Sequence, residues 1–275
     1  MTKRLTGITG WVILIIFLLS YVTIFFIVDT AAVRLQIRDL FYTFSGLVII
    51  ISLVVVSLMV RGRDRQIWLR LTLASVFWAA GDFVSKIIEF NGAVTAERTL
   101  TYQDIFYFAA YICIAAAVSS LAVAVRRPEK QESWNRYYPV VLVLGFPLIS
   151  LGLVRFLPGG LADPAYVSAS LLAIITMSVY VALDILIIGS VLFLFFSQEL
   201  THRKTSYELV MIGLLAFVLA DASYLLFQPA RLYNVVNMPS LIVITVWMLG
   251  YGLIALAATH RLTEPAEETA QQHLP

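Results

Sequence analysis

Long apolar stretches dominate the sequence and restrict the folds it can adopt. An α-helix needs about 20 mostly apolar residues to cross roughly 30 Å of hydrocarbon. Eight stretches meet this requirement, at residues 11–28, 41–60, 69–90, 105–125, 138–156, 168–196, 209–227 and 240–260. Only 13% of the chain is charged, against roughly 25% in soluble domains. The sequence therefore predicts an all-α polytopic membrane protein with eight transmembrane helices surrounded by a lipid bilayer.

The basic residues predict the orientation of these spans, because Lys and Arg near helix ends are retained on the cytoplasmic side. With the N-terminus inside, the inner segments carry thirteen basic residues and the outer loops carry five. We therefore expect a protein of the cytoplasmic membrane with both termini in the cytoplasm. The first apolar run is longer than that of a signal peptide, so we expect it to be retained. Residues 1–262 form the predicted membrane domain, and residues 263–275 a disordered cytoplasmic tail.

Several functions are disfavoured by composition. The basic residues fall in short clusters between apolar runs, so no nucleic-acid partner is expected. A single cysteine, Cys113, allows neither an intramolecular disulfide nor a thiolate metal cluster. The histidines all lie on the predicted cytoplasmic side, and the sequence has no phosphate-binding glycine loop. We therefore predict neither a metal site nor a cofactor.

A weak internal repeat relates the two halves of the chain. Residues 77–82 in the third span align with residues 216–221 in the seventh at an offset of 139. Tyr107 and Tyr111 in the fourth span align with Trp247 and Tyr251 in the eighth at an offset of 140. Four spans per half give both halves the same orientation, so the pattern predicts a parallel repeat of residues 1–130 and 131–262. Chance alignment of apolar segments is the alternative explanation.

Ionisable residues within the spans are the strongest functional signal, because each costs about 2.5–3.5 kcal/mol to insert and normally faces a protein interior or a wet cavity. They are Asp82, Lys86 and Glu89 in the third span, Asp184 in the sixth and Asp221 in the seventh. Asp104 and Glu199 lie at span ends, where we expect them to reach water.

Two interpretations of the acids in the third span remain open. Asp82, Lys86 and Glu89 are four and three residues apart and share one helix face. They can form an internal ion pair, with Lys86 extending its stem outward, or take part in function. Glu89 is the one most readily explained by solvation alone. Asp184 and Asp221 have no basic neighbour on their own helices, so each must find a partner elsewhere or carry a proton.

The repeat places Asp82 and Asp221 at similar depth in the outer half of the bilayer, where four aromatic side chains also enter. The sequence thus predicts a pocket that opens to the outer side. Its expected ligand-binding residues are Asp82, Lys86, Tyr107, Tyr111, Asp221, Trp247 and Tyr251. Asp184 and Glu89 are expected in structural or coupling roles. The alternative is that the aromatic stripe serves packing alone, although buried phenols and indoles still need hydrogen-bond partners.

The order and spacing of short strings from Leu69 to Arg261 resemble a known arrangement. The strings occupy residues 78–82, 102–111, 180–184, 220–221, 247–251 and 257–258. Together they resemble the multi-helix membrane sensory region that precedes cyclase or kinase domains in bacterial and archaeal signalling proteins. The resemblance implies a small-molecule or lipid ligand and a cytoplasmic signalling partner, and it is compatible with a homo-oligomer. No output domain follows the last span here, which leaves open a stand-alone sensor, a subunit or part of a longer chain.

Other resemblances imply different functions. Gly81-Asp82 and Ala220-Asp221 are similar to the two aspartate motifs of the lysoplasmalogenase family, in which such aspartates are thought to be catalytic. That family's intervening histidine has no counterpart in residues 108–111. The spacing of four residues between Asp82 and Lys86 is also similar to that around the retinal-linked lysine of microbial rhodopsins. In rhodopsins this motif lies in the last helix, whereas here it lies in the third predicted span. The repeat and the acids within the spans make a small-molecule or proton-coupled transporter a further alternative.

Overall fold

The protein is helical throughout the part of the chain that the computed structural model describes, which is residues 2–90, 102–125, 171–197, 205–227 and 237–264. Within these residues lie seven helices and no strand: α1 (Thr2–Ile27), α2 (Ala31–Met59), α3 (Gly62–Phe90), α4 (Tyr102–Val125), α5 (Leu171–Ser197), α6 (Thr205–Phe227) and α7 (Met238–Thr263). The all-helical prediction is therefore confirmed for the described residues.

Six of these helices are long and apolar enough to cross a membrane, namely α1 to α4, α6 and α7. A shorter apolar stretch, Ser178–Leu192, lies within α5. These helices support the predicted integral membrane protein and its bilayer environment. The predicted span at residues 138–156 lies outside the described residues, so the count of eight spans and the full repeat stay predictions.

The helices extend beyond the apolar stretches that predict them. α2 begins at Ala31 rather than at residue 41, and α3 begins at Gly62 rather than at residue 69. The extra turns of α2 carry Arg34 and Arg38, whose long stems can cover apolar surface while the charged heads stay near water. Hydropathy detects the apolar part of a helix and misses such polar turns. Gly62, the first residue of α3, has a φ of 66° where the chain leaves the short turn after α2, a left-handed conformation that glycine accepts without strain.

Six helices form a ring. α2 packs on α3, α3 on α4, α4 on α5, α5 on α6, α6 on α7, and α7 returns to α2. α1 lies outside the ring against α7 and α2 and exposes large apolar side chains such as Ile13 and Ile16. The largest buried side chains, among them Trp68, Leu53 and Met211, face the interior. Polar groups inside this ring are consequently enclosed by helices on all sides.

The two ends of the bundle carry different charged groups. Asp64 near the start of α3 lies close to Arg261 near the end of α7, and we refer to this side as the Asp64 end. Asp39 on α2 and Lys86 on α3 lie at the opposite side, the Asp39 end. By the predicted orientation the Asp64 end is cytoplasmic. α7 continues to Thr263 and is followed by the C-cap residue Glu264. Of the predicted tail, residues 265–275 lie outside the described residues.

Candidate functional site

Two carboxyl groups, one of them buried, meet at one phenol inside the ring. The Tyr111 hydroxyl on α4 lies 2.6 Å from Oδ1 of Asp184 on α5 and 3.2 Å from Oδ2 of Asp221 on α6. A phenol has one proton to donate, so it cannot satisfy both carboxyl oxygens fully at once. Asp221 gains a second donor on α7, because Trp247 Nε1 lies 2.8 Å from its Oδ1. Four helices are therefore tied together at one point.

Asp82 on α3 belongs to the same polar region through a different donor. The Tyr107 hydroxyl on α4 donates to Asp82 Oδ1 at 2.8 Å. The hydroxyls of Tyr42 and Tyr251 lie 3.1 Å apart, and both interact electrostatically with the Asp82 carboxyl. Asp82 and Asp221 also interact electrostatically with each other. The two aspartates paired by the sequence repeat thus lie in one network, and we call Asp82, Asp184 and Asp221 the carboxyl cluster.

The aspartate–donor pairs on the two sides of the cluster have the same geometry. Asp82 and Tyr107 are 25 residues apart on α3 and α4, whereas Asp221 and Trp247 are 26 residues apart on α6 and α7. Each pair has a donor–acceptor distance of 2.8 Å. In each pair, the aspartate lies on the first helix and the aromatic donor on the next described helix. This similarity of contacts is what an internal repeat would produce.

A cavity of about 40 Å³ lies beside the carboxyl cluster. A water molecule needs about 10–15 Å³ of such volume, so there is room for a few small molecules or one compact ligand. All six ring helices contribute to its wall. The residues lining it are mostly apolar, and Tyr111, Asp184, Asp221 and Tyr251 are among them; the others are Ile49, Leu53, Leu71, Ala74, Ser75, Trp78, Ile114, Ile187, Leu214, Phe217, Val218 and Ile254.

The cavity is displaced from the pocket that the sequence predicts. Tyr111, Asp221 and Tyr251 line it, but Asp82, Tyr107 and Trp247 do not. On every ring helix, the cavity is lined by residues that lie between the carboxyl cluster and the Asp64 end. On α3, for example, Leu71 lies between Asp64 and Asp82. The described cavity therefore lies on the predicted cytoplasmic side of Asp82 rather than opening past it to the outer side. Asp184, which the sequence places in a structural or coupling role, faces this cavity directly.

Lys86 is held by a residue that the sequence stripe did not include. Its Nζ donates to Asp39 Oδ2 on α2 at 2.9 Å, and its side chain is 48% exposed. Arg38 shares Asp39, with Nε lying 2.8 Å from Oδ1. Lys86 thus extends outward, as expected, but its ion pair joins α3 to α2. The side chain of Glu89 lies outside the described part of the structure. Asp39 lies between the apolar stretches 11–28 and 41–60, so hydropathy alone does not place it on a helix beside Lys86.

A second polar cluster at the Asp64 end was also missed. Asp64 accepts hydrogen bonds from Tyr207 at 2.5 Å and from Arg261 Nε at 3.1 Å, and the terminal Nη2 of Arg261 also bonds it. Glu264 accepts from the backbone nitrogen of Ser206 at 2.9 Å and from its hydroxyl at 2.6 Å. We call these five residues the Asp64 clasp. It joins the start of α3, the start of α6 and the end of α7.

Two further polar residues differ from expectation. Asp104 is buried and accepts the Tyr180 hydroxyl at 2.6 Å, so the expectation that it reaches water is wrong. It lies in the first turn of α4, where a partner on α5 covers it. Arg70 is one of the thirteen basic residues that the sequence assigns to the inner segments. In the structure it lies within the apolar part of α3. Its Nη1 donates to the Ala116 carbonyl at 2.9 Å and to the Ser120 hydroxyl, so it joins α3 to α4.

Comparisons with known proteins identify no relative for this arrangement. No family model matches the chain, and it matches neither a curated protein nor a solved structure. Within the described part of the chain, no three His, Cys, Asp or Glu side chains are grouped so that they could hold a metal ion. The function of the site must therefore be inferred from its own chemistry.

Proposed function

We propose that this protein is a membrane sensor that binds a small ligand in the cavity beside the carboxyl cluster. The observation that carries this proposal is the contact of one phenol, Tyr111, with two carboxyl groups that line the same cavity. A ligand that binds Asp184 or Asp221 competes with Tyr111 for the same oxygen atoms. Because these three residues and Trp247 lie on four different helices, binding would change how those helices pack.

The signal would be transmitted by a shift between two helix arrangements, one of which binds the ligand more tightly. α7 is suited to carry it, since it contacts the carboxyl cluster through Trp247 and the Asp64 clasp through Arg261. These residues are fourteen positions apart, or about 21 Å along a helix. A rotation or translation of α7 at the cluster would therefore reach the predicted cytoplasmic end, where a signalling partner could detect it.

The proposal includes a parallel relation between the two halves of the molecule. Its support is the matched pairs Asp82–Tyr107 and Asp221–Trp247, together with the ring, in which α2–α3–α4 and α5–α6–α7 follow each other in equivalent order. On this model, the halves contribute similar polar groups to one shared site. α1 would complete the first half. The predicted span at residues 138–156, which lies outside the described residues, would complete the second.

A ligand screen with matched variants tests the binding site. The purified protein in mild detergent is heated in the presence of small metabolites and lipids, alongside Asp221→Asn and the control Asp104→Asn. Asp104 is a buried acid with a tyrosine donor, but it does not line the cavity. We expect a ligand that raises the Tm of the wild type and of Asp104→Asn, with a much smaller shift for Asp221→Asn. A ligand effect that is equal in all three proteins would contradict the site assignment.

Transmission of the signal requires a separate measurement. A spin label on Thr259→Cys, in a Cys113→Ser background, reports on the exposed face of α7 near the Asp64 end. The ligand found in the screen should change the spectrum of this label, because the proposed helix shift reaches that end. An unchanged spectrum at saturating ligand would separate binding from signalling and would contradict the sensor function.

A membrane hydrolase is the second candidate, favoured by the convergence of Asp184 and Asp221 beside a cavity with room for water. Paired carboxyls can act as general acid and general base in hydrolysis. The lysoplasmalogenase resemblance pairs Asp82 with Asp221. The two carboxyls that converge on Tyr111 are instead those of Asp184 and Asp221. An assay with lysoplasmalogen and lysophospholipid, using wild type, Asp184→Asn and Asp221→Asn, distinguishes the two functions. Turnover that either substitution abolishes would favour the hydrolase, whereas the sensor proposal expects none.

A further inference from the structure

The chemical character of the cavity restricts the ligands it can hold. Four aromatic rings form a continuous part of its wall. The ring centroids of Trp78 and Tyr111 are 5.6 Å apart, those of Trp78 and Phe217 5.8 Å, and those of Phe217 and Tyr251 4.7 Å. Aromatic faces attract cations within about 6 Å of the ring centroid, and this attraction strengthens when water is excluded.

One carboxyl group at the cavity has a single hydrogen-bond donor among the described residues. Asp184 is only 5% exposed and lines the cavity. Its Oδ1 accepts the Tyr111 hydroxyl, whereas Oδ2 accepts no hydrogen bond from any residue that the structure describes. This oxygen is therefore positioned to accept a hydrogen bond from a ligand.

The described residues that line the cavity include no cationic side chain beside its two acids. Its lining includes two carboxyl groups, Asp184 and Asp221, but no Lys, Arg or His among the described lining residues. The donors that reach these acids are the neutral phenol of Tyr111 and the neutral indole of Trp247. A ligand that supplies both an N–H donor and a positive charge would donate to Oδ2 of Asp184 and compensate the negative charge of the two acids.

From these observations, we infer that the cavity binds a small organic ammonium ion. Its N–H group would donate to Oδ2 of Asp184, and its alkyl carbons would contact the rings of Trp78 and Phe217. The volume of about 40 Å³ admits an ammonium group with one or a few carbons. A metal cation of equal charge offers no N–H donor to Asp184. This inference rests on the proposed ligand-binding function and specifies its ligand class.

Isothermal titration calorimetry with methylammonium chloride tests the inference on the 275-residue chain in detergent at constant ionic strength. We expect saturable binding to the wild type and at least tenfold weaker binding to Asp184→Asn, which keeps an acceptor for Tyr111 but loses the charge. Phe217→Leu should weaken binding several-fold through loss of one aromatic face. Asp104→Asn should bind as the wild type does. Potassium chloride at the same concentration should give no saturable heat.

The calorimetry and the thermal screen together distinguish a wrong ligand class from a wrong ligand-binding function. Absence of methylammonium binding to folded wild type, or equal binding to Asp184→Asn, would overturn the ammonium assignment. If a neutral or anionic compound from the thermal screen still stabilises the wild type through Asp221, the ligand-binding function stands and only the ligand class is wrong. If no compound of any charge binds, both proposals fail. Gel filtration and thermal unfolding of each variant confirm that it is folded.

Discussion

At the scale of single residues, Tyr111 has the most demanding position in the molecule. It is 3% exposed and its hydroxyl is the one described donor to Asp184. The sequence predicts it as a pocket residue from the internal repeat and from its depth in the outer half of the bilayer, where Asp82 and Asp221 are also expected. It could not show that Tyr111 bridges Asp184 and Asp221, since periodicity assigns faces within a helix and carries no information about contacts between helices.

Replacing Tyr111 with Phe should destabilise the protein by about 1–3 kcal/mol, because a buried carboxyl group loses its hydrogen-bond donor while the ring volume is retained. The measurement is chemical or thermal unfolding in detergent. Tyr102→Phe is the matched control, since Tyr102 lies on the same helix with 78% of its surface exposed. If both substitutions reduced stability equally, the Tyr111 hydroxyl would have no special structural role.

At the scale of helices, the contact of α6 with α7 depends on two glycines. A Cβ on Gly213 would lie 2.7 Å from Ile254 Cγ1 and 3.1 Å from the carbonyl oxygen of Gly250. A Cβ on Gly250 would lie 3.0 Å from Phe217. Small residues allow such close approach of membrane helices. The sequence shows these glycines but not their mutual contact, because that depends on the rotation of each helix about its axis.

Gly213→Ala should therefore separate α6 from α7 and lower stability by roughly 1–3 kcal/mol, the usual cost of overpacking. Gly46→Ala provides the control, since a Cβ there meets no atom within 4 Å. Removing a helical glycine at such a position should be neutral or stabilising by about 0.5–1 kcal/mol. Unfolding free energies of both variants test the difference, and a loss at Gly46 as large as that at Gly213 would contradict the packing explanation.

Helix ends are where sequence and structure differ most, and the Asp64 clasp shows why. Asp64 and Arg261 lie at the limits of apolar stretches, where a charged residue can equally well be solvated. In the folded protein Arg261 is 7% exposed and bonded to Asp64. Only the fold, which brings the start of α3 close to the end of α7, makes this a buried ion pair. A pattern of hydropathy along one chain segment therefore predicts the helices better than it predicts the contacts at their ends.

Asp64→Asn should weaken the clasp, because Arg261 would keep a buried charge with a more distant partner, Glu264, whose Oε2 lies 3.8 Å from Nη1. The expected loss is somewhat below the roughly 3–5 kcal/mol for breaking a fully buried pair. Asp39→Asn removes an acid from a more exposed pair, for which about 0–1 kcal/mol is expected. A double-mutant cycle of Asp64 with Arg261 measures the coupling directly. Zero coupling would show that the two charges act independently.

At the scale of the whole molecule, orientation follows from charge rather than from packing, so it can be predicted from sequence alone. With thirteen basic residues assigned inside and five outside, the turn at Arg61 should be cytoplasmic and the turn at Thr30 external. A membrane-impermeant maleimide on intact cells should label Thr30→Cys in a Cys113→Ser background, and should label Arg61→Cys only after permeabilisation. The reverse pattern would place the Asp64 end outside and the cavity on the outer side of Asp82.

The proposed relation between the halves makes a specific prediction at the centre of the ring. Trp78 and Phe217 are equivalent at the offset of 139, and their ring centroids lie 5.8 Å apart. If a two-fold axis relates the halves, Trp78 and Phe217 contact each other near that axis and should have similar neighbours. Trp78→Phe alone leaves a void and Phe217→Trp alone overpacks, so each should cost about 1–3 kcal/mol. The double exchange keeps the total volume and should restore much of that loss.

A second exchange provides the control for this test. Trp78→Phe combined with Phe108→Trp keeps the same total volume, but Phe108 stacks on Tyr180 at 4.9 Å and is not related to Trp78 by the repeat. Its two losses should therefore add. Stability of all five variants is measured by unfolding in the same detergent. Compensation in the first pair but not in the second is expected if the two halves place similar walls around Trp78 and Phe217, whereas additive losses in both pairs would favour chance alignment of apolar segments.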